Sequence, residues 1–225
     1  MILIAEKLER VFGEGAAAVH ALDGVDLCLQ EGEFVAIMGK SGAGKSTLLY
    51  QLSALDHPTK GKIIIDGAEI TTMTERERTK FRLENLGYVF QDYALVPELT
   101  AAENVMLPLI MRGIDFDEAV VEAEEVLTRF ELGARVGSLP SQLSGGEQQR
   151  VAIARSIVHK PKILFADEPT ASLDTATSEV VLSYLEELHQ NGQTIVMITH
   201  EEEYSKRAKR IIEMEDGKIL SDVQC

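Results

Sequence analysis

The run Gly39-Lys40-Ser41-Gly42-Ala43-Gly44-Lys45-Ser46 fits the pattern G-x-x-x-x-G-K-[ST] at every defined position. Glycines so spaced let the backbone curl until successive N–H groups face phosphate oxygens at the positive end of a following helix. Lys45 would reach the β- and γ-phosphates of a nucleotide, Ser46 would offer a hydroxyl to Mg2+, and Thr47 would donate to the α-phosphate. Far downstream, Asp167-Glu168 sets two adjacent carboxylates at the end of an apolar run over 163–166. Asp167 would help hold Mg2+, and Glu168 would polarise a water in line with the γ-phosphate. His200 closes a second apolar run over 194–199. The glycine loop makes nucleotide binding the leading reading, while two acids or a histidine at a strand end, taken alone, also suit a solvated turn or a polar terminus.

Groups so far apart in sequence need a scaffold that gathers them. The apolar stretch 33–38 reads as a buried parallel strand and 47–55 as a helix, which is the setting the loop requires. The chain begins β-rich, has an antiparallel pair over 61–70, and shows strand signals again at 87–91. A helical middle over 101–157 precedes two buried strands ending near Asp167 and His200, with a helix over 178–190 between them. A last strand pair lies over 211–220. Asn191-Gly192 marks a helix end and Asp216-Gly217 a hairpin turn.

Leu143-Ser144-Gly145-Gly146-Glu147 opens a helix that continues Gln148-Gln149-Arg150-Val151-Ala152-Ile153-Ala154-Arg155 and makes a second anion-binding terminus, remote from the first. Here the chain resembles the ATP-binding cassette (ABC) ATPases, whose signature is L-S-G-G-Q and for which Glu147 is a known variant. The resemblance covers essentially the whole chain. It implies an α/β fold of the P-loop NTPase, ABC ATPase type: a RecA-like core with an antiparallel β subdomain and an inserted helical subdomain. Residues 1–225 would form one domain, with 1–91 and 158–225 as the core and 92–157 as the helical part carrying the signature.

The resemblance further implies ATP and Mg2+ as cofactors and a head-to-tail homodimer in the ATP-bound state. Ser144, Gly145, Gly146 and Glu147 of one chain would cap the ATP held by the other chain's residues 39–47. His200 would be the switch histidine, and Gln91 the glutamine that meets Mg2+ and water and senses a membrane partner. Lys45 joins Glu168, His200 and Gln91 as the catalytic set, while Ser46, Gln91 and Asp167 are the metal set. Asp174 would lie across the dimer seam, and Phe12 would stack on adenine. Three places depart from the usual pattern: Lys40 stands for Pro, Ala43 for Ser, and Ala171-Ser172 for Gly-Asn.

The stretch 91–108 is similar to the lipoprotein-release, macrolide-export and cell-division group, whose integral membrane subunits have few spans and a large outer domain. Leu95, Pro97 and Leu99 either meet the coupling helix of that subunit or pack the helical lobe. The expected function is ATP hydrolysis driving export or extraction of a lipoprotein, peptide or drug-like substrate through a separate permease. The alternatives are a transmembrane signalling subunit of the cell-division type and a soluble ABC ATPase; the acidic charge, a single cassette and the lack of a coiled-coil insertion disfavour the latter.

A net charge of -15 opposes nucleic acid as a partner and adhesion to anionic lipid. The acids at 115–118, 122, 124, 125 and 201–203 read as solvated helix faces. No stretch is apolar enough to span a bilayer, and neither a signal peptide nor a direct lipid anchor is expected. The expected location is cytoplasmic, on the inner face of the membrane through the membrane subunit. Cys28 and Cys225 suit neither a metal nor a disulfide framework, and Cys28, between Leu27 and Leu29, is expected to be a small buried hydrophobe.

Overall fold

The structure is a computed structural model that describes residues 1–224. Cys225 lies outside the described residues. The chain opens with β1 (Leu3–Phe12) and β2 (Val19–Leu29), followed by β3 (Phe34–Met38) and α1 (Lys45–Leu52). Next come β4 (Lys60–Ile65), β5 (Ala68–Glu69), α2 (Glu75–Asn85) and β6 (Leu86–Val89). Three helices follow: α3 (Ala101–Met111), α4 (Phe116–Arg129) and α5 (Gly145–Ile157). The chain ends with β7 (Ile163–Asp167), α6 (Thr175–Gln190), β8 (Thr194–Ile198), α7 (Glu202–Ser205), β9 (Arg210–Glu215) and β10 (Lys218–Gln224).

Two sheets result. An antiparallel sheet runs β2-β1-β4-β5, and a larger one runs β10-β9-β3-β8-β7-β6, parallel except for the β9–β10 hairpin. The hairpin turn has φ of 48° at Asp216 and 76° at Gly217, the pair of positive values that a tight two-residue turn demands.

The larger sheet is buried on both faces, which its strands' continuous apolar runs foreshadow. Phe34, Ala36, Leu164, Ala166, Ile195 and Met197 face the core shared with α3, α4, α5 and α6. Their alternating neighbours, among them Val35, Ile37, Phe165 and Val196, face a second core shared with the antiparallel sheet and α1. The order β3-β8-β7-β6 places side by side the C-terminal ends of strands that carry the glycine loop, His200, the acidic pair and Gln91.

Several expectations are adjusted. Strand β6 stops at Val89, so Gln91 lies beyond it. Helix α6 starts at Thr175, three residues early, because Asp174 caps it by accepting from the Thr177 N–H at 2.9 Å. Helix α2 was not foreseen: its ERERTKFRLEN sequence has no apolar stripe. Its signal was Thr74-x-x-Glu77, a reciprocal capping box, and the buried Arg78 anchors the helix on the carbonyls of Ala54 and Asp56 at 2.6 and 2.7 Å.

Cys28 is exposed, not buried. Leu27 and Leu29 point into the core, so strand alternation turns the residue between them outward. Among the described residues no helix is long and apolar enough to cross a membrane.

Candidate active site

The glycine loop meets α1 at Gly44, which has φ 96°. A Cβ there would lie 2.3 Å from the Ala21 carbonyl oxygen of β2, so only glycine lets the helix start this close to the antiparallel sheet. Lys45 is buried, and its Nζ donates to the carbonyls of Gly39 at 2.8 Å and Lys40 at 3.0 Å, lying along the loop instead of pointing to solvent. A cavity of about 1160 Å³ opens over this loop and is lined by Lys45, Ser46, Thr47, Glu168 and His200. The free N–H groups at the start of α1 and the Lys45 ammonium supply positive charge at its floor, while Glu202, Glu213, Glu215 and Asp216 line it elsewhere.

Asp167 ends β7 and is almost fully buried. Ser46 Oγ donates to its Oδ1 at 3.2 Å, and the Tyr88 hydroxyl donates to its Oδ2 at 3.3 Å. Burial pushes the Asp167 carboxyl above the usual range, while these hydroxyls pull it back. Burial, reinforced by the Asp167 charge, pushes the Tyr88 phenol far up, so it stays a proton donor. A hydroxyl beside a carboxylate is the hard-oxygen donor set that Mg2+ takes, so the residues present fit that ion.

Glu168 sits next along the chain with φ 45°, a left-handed conformation that costs a non-glycine residue on the order of 1 kcal/mol or more. Its N–H donates to the Ile198 carbonyl at 3.2 Å, which ties the turn after β7 to the end of β8. The turn aims the Glu168 side chain at the cavity, where Oε2 lies 3.2 Å from His200 Nδ1. Glu168, His200, Lys45 and Ser46 therefore share one space although the sequence spreads them over more than 150 positions.

The signature segment stands elsewhere. Ser144 caps α5 in a reciprocal box: its Oγ accepts from the Glu147 N–H at 3.3 Å, and Glu147 Oε2 accepts from the Ser144 N–H at 2.8 Å. That position takes Glu or Gln equally well, which accounts physically for glutamate as the last signature residue. The Ser144 N–H, opposed by slight burial and aided by the Ser144 hydroxyl and Arg135, holds the Glu147 carboxyl below the usual range. A Cβ on Gly146 would come within 2.2 Å of the Thr177 methyl, so a glycine lets α5 and α6 approach. Gln149 Nε2 also donates to the Pro169 carbonyl at 2.7 Å, binding the signature helix to the turn that leads to Asp174.

Ser144, Gly146 and Glu147 line a separate hollow of about 250 Å³ with Thr177, and neither they nor Asp174 line the large cavity. Phe12 is 45% exposed at the end of β1 with the Arg10 guanidinium 4.5 Å from its ring centre, and it too lies outside the cavity lining. Gln91 is exposed after β6. Just past it, Tyr93 and Ala94 both have positive φ, and Arg155 of α5 donates to their carbonyls at 2.9 and 2.7 Å. Leu95 packs against the helical core, whereas Pro97 is exposed.

In sequence Tyr88 and Arg155 read only as parts of a strand and of a helix, yet Tyr88 reaches Asp167 and Arg155 holds the turn after Gln91. A tyrosine inside an apolar strand was the available signal, because a buried phenol has to find an acceptor. Arg155 carried no such signal, since its partners are backbone carbonyls.

A phosphate loop and an acidic pair at the ends of two parallel strands, with a histidine at the end of the strand between them, define a nucleotide-hydrolysing ATPase. Residues 22–171 match the family described as ABC transporter, and the chain belongs to that family as an ABC-type ATPase. It is 44% identical over 222 residues to the lipoprotein-releasing system ATP-binding protein LolD of Aquifex aeolicus, covering 99% of this chain and 97% of that one. It is 46% identical over 213 residues to the macrolide export ATP-binding/permease protein MacB of Hyphomonas neptunium, covering 95% of this chain and 33% of MacB. The chain thus spans about a third of the length of the MacB relatives it matches. A solved dimer of the ATP-binding cassette MJ0796, in a post-hydrolysis state bound to ADP and Pi, superposes with a TM-score of 0.92 at 39% identity, covering 99% of this chain and 98% of that one.

Proposed function

We propose that the chain is the ATP-hydrolysing subunit of a membrane transporter of the export or extraction type, acting as a head-to-tail homodimer on separate permease subunits. The observation that carries this reading is the split site. Lys45, Ser46, Glu168 and His200 share one cavity, while the Ser144 helix terminus lines a separate hollow. One γ-phosphate has no use for two anion-binding termini within one chain, so the second is supplied to a partner copy. The dimeric form of MJ0796 and the transport names of LolD and MacB support the same assembly. The helices of 92–157 would present the signature to the partner, with the rest of the chain holding nucleotide on the inner face of the membrane.

On this reading the phosphates of ATP lie on the N–H groups of residues 39–47, with Lys45 leaving its loop carbonyls for the β- and γ-oxygens. Ser46, Asp167 and Gln91 would hold Mg2+, which when bound neutralises charge on the phosphates. Glu168 accepts the proton of the attacking water, and His200 Nδ1, already within hydrogen-bond reach of Glu168, keeps that carboxylate aimed. Phe12 offers a ring to the base, and Asp174 stays at the seam as the cap of α6.

Lys40, the departure inside the loop, is 88% exposed and pairs with Glu215 at 3.5 Å on the surface. Such a pair contributes at most about 1 kcal/mol. Lys40→Pro should shift nucleotide affinity by no more than about fivefold in a fluorescence titration; a tenfold loss would show that the ammonium touches the nucleotide.

The functional reading is tested by capturing tagged Glu168→Gln protein from its native membranes in mild detergent with ATP and identifying what comes with it. A polytopic membrane subunit is expected. Recovery of soluble partners alone would replace the transporter reading with that of a soluble ABC ATPase.

A further inference from the structure

The Asp167 carboxylate is gripped from two sides. Ser46 Oγ takes Oδ1 and the Tyr88 hydroxyl takes Oδ2, at 3.2 and 3.3 Å. A carboxylate bound through one oxygen can swivel about its last torsion, and a donor on the second oxygen removes that freedom. Tyr88 is well placed to supply it. Strand β6 runs parallel to β7 with Tyr88 opposite Phe165, two residues before Asp167, so a phenol is long enough to reach the strand end. The ring is wedged against Phe90 and Tyr50, with centroids 4.4 and 6.0 Å away, which holds the hydroxyl where it stands.

We propose that Tyr88 is a positioning residue for the metal site: its hydroxyl fixes the plane of the Asp167 carboxylate and keeps Oδ1 turned toward Ser46. The inference rests on the reading of Ser46 and Asp167 as the groups that hold Mg2+. Partners that orient a ligating carboxylate commonly change metal affinity by about 10- to 100-fold when removed. Tyr88→Phe is a clean probe, because the ring and its aromatic contacts remain and only the hydrogen bond is lost.

The full-length protein with stoichiometric ADP is titrated with Mn2+, and bound metal is read from the loss of the free-ion signal in electron paramagnetic resonance, with binding by ADP alone subtracted. Tyr88→Phe should weaken Mn2+ binding by about tenfold, with ADP affinity in EDTA and the melting temperature unchanged. Mn2+ affinity within twofold of the parent, or a loss matched by weaker ADP binding in EDTA, overturns the proposal. Asp167→Asn separates the two failures. If it weakens Mn2+ binding and Tyr88→Phe does not, only the role of Tyr88 falls; if neither does, the metal reading falls with it.

Discussion

Glu168→Gln should lower steady-state ATP turnover by about 10²- to 10⁴-fold, the share a positioned general base usually contributes, while ATP still binds. The amide keeps the size of the side chain and can still meet His200, now across a hydrogen bond with no charge on the acceptor side. What it loses is the ability to take a proton from water. With hydrolysis stopped and both anion-binding termini intact, the ATP-bound dimer should accumulate, visible as a shift to twice the mass in size-exclusion chromatography with light scattering. Turnover within tenfold of the parent would remove Glu168 from the mechanism. Turnover lost without a dimer would keep the base and deny the shared site.

The second large effect is expected at Gly44→Ala. Two costs add there: φ 96° is a conformation that L side chains rarely adopt, and the new methyl would sit 2.3 Å from a backbone oxygen of β2. A backbone neighbour cannot rotate aside as a side chain would, so the loop or the start of α1 has to shift. Strain of this kind costs on the order of 2 kcal/mol, and in a chain of this size it should lower the melting temperature by about 4–8 °C. The N–H groups that face the phosphates move with the loop, so nucleotide affinity should fall well beyond tenfold in an equilibrium titration. Affinity near that of the parent would show that the loop tolerates a displaced helix start and that its curvature is not set at Gly44.

Much of this protein was legible before any coordinates. The phosphate loop is a local pattern that its own spacing reports, whereas the signature and the acidic pair gain their reading from the resemblance to the ABC ATPases. Strand and helix types in the core followed from apolar runs and breakers, and the capping box at Ser144 and Glu147 is a four-residue motif readable by eye. Errors arose where pattern and environment part. At Cys28 the apolar neighbours suggest burial, but strand alternation turns the residue outward. Helix α2 escaped because its charged sequence has no apolar stripe.

By itself, then, the sequence determined which candidate groups for phosphate, metal and water the chain carries, because those capacities belong to side chains and short backbone segments. Only the tertiary structure decided which of them meet. The order β3-β8-β7-β6 sets His200 between the glycine loop and the acidic pair, and brings the Tyr88 hydroxyl to Asp167. It also leaves Ser144 and Asp174 outside the cavity they would serve. Strand order is set by burying both faces of one sheet between two cores, a long-range packing condition that no short stretch of sequence records.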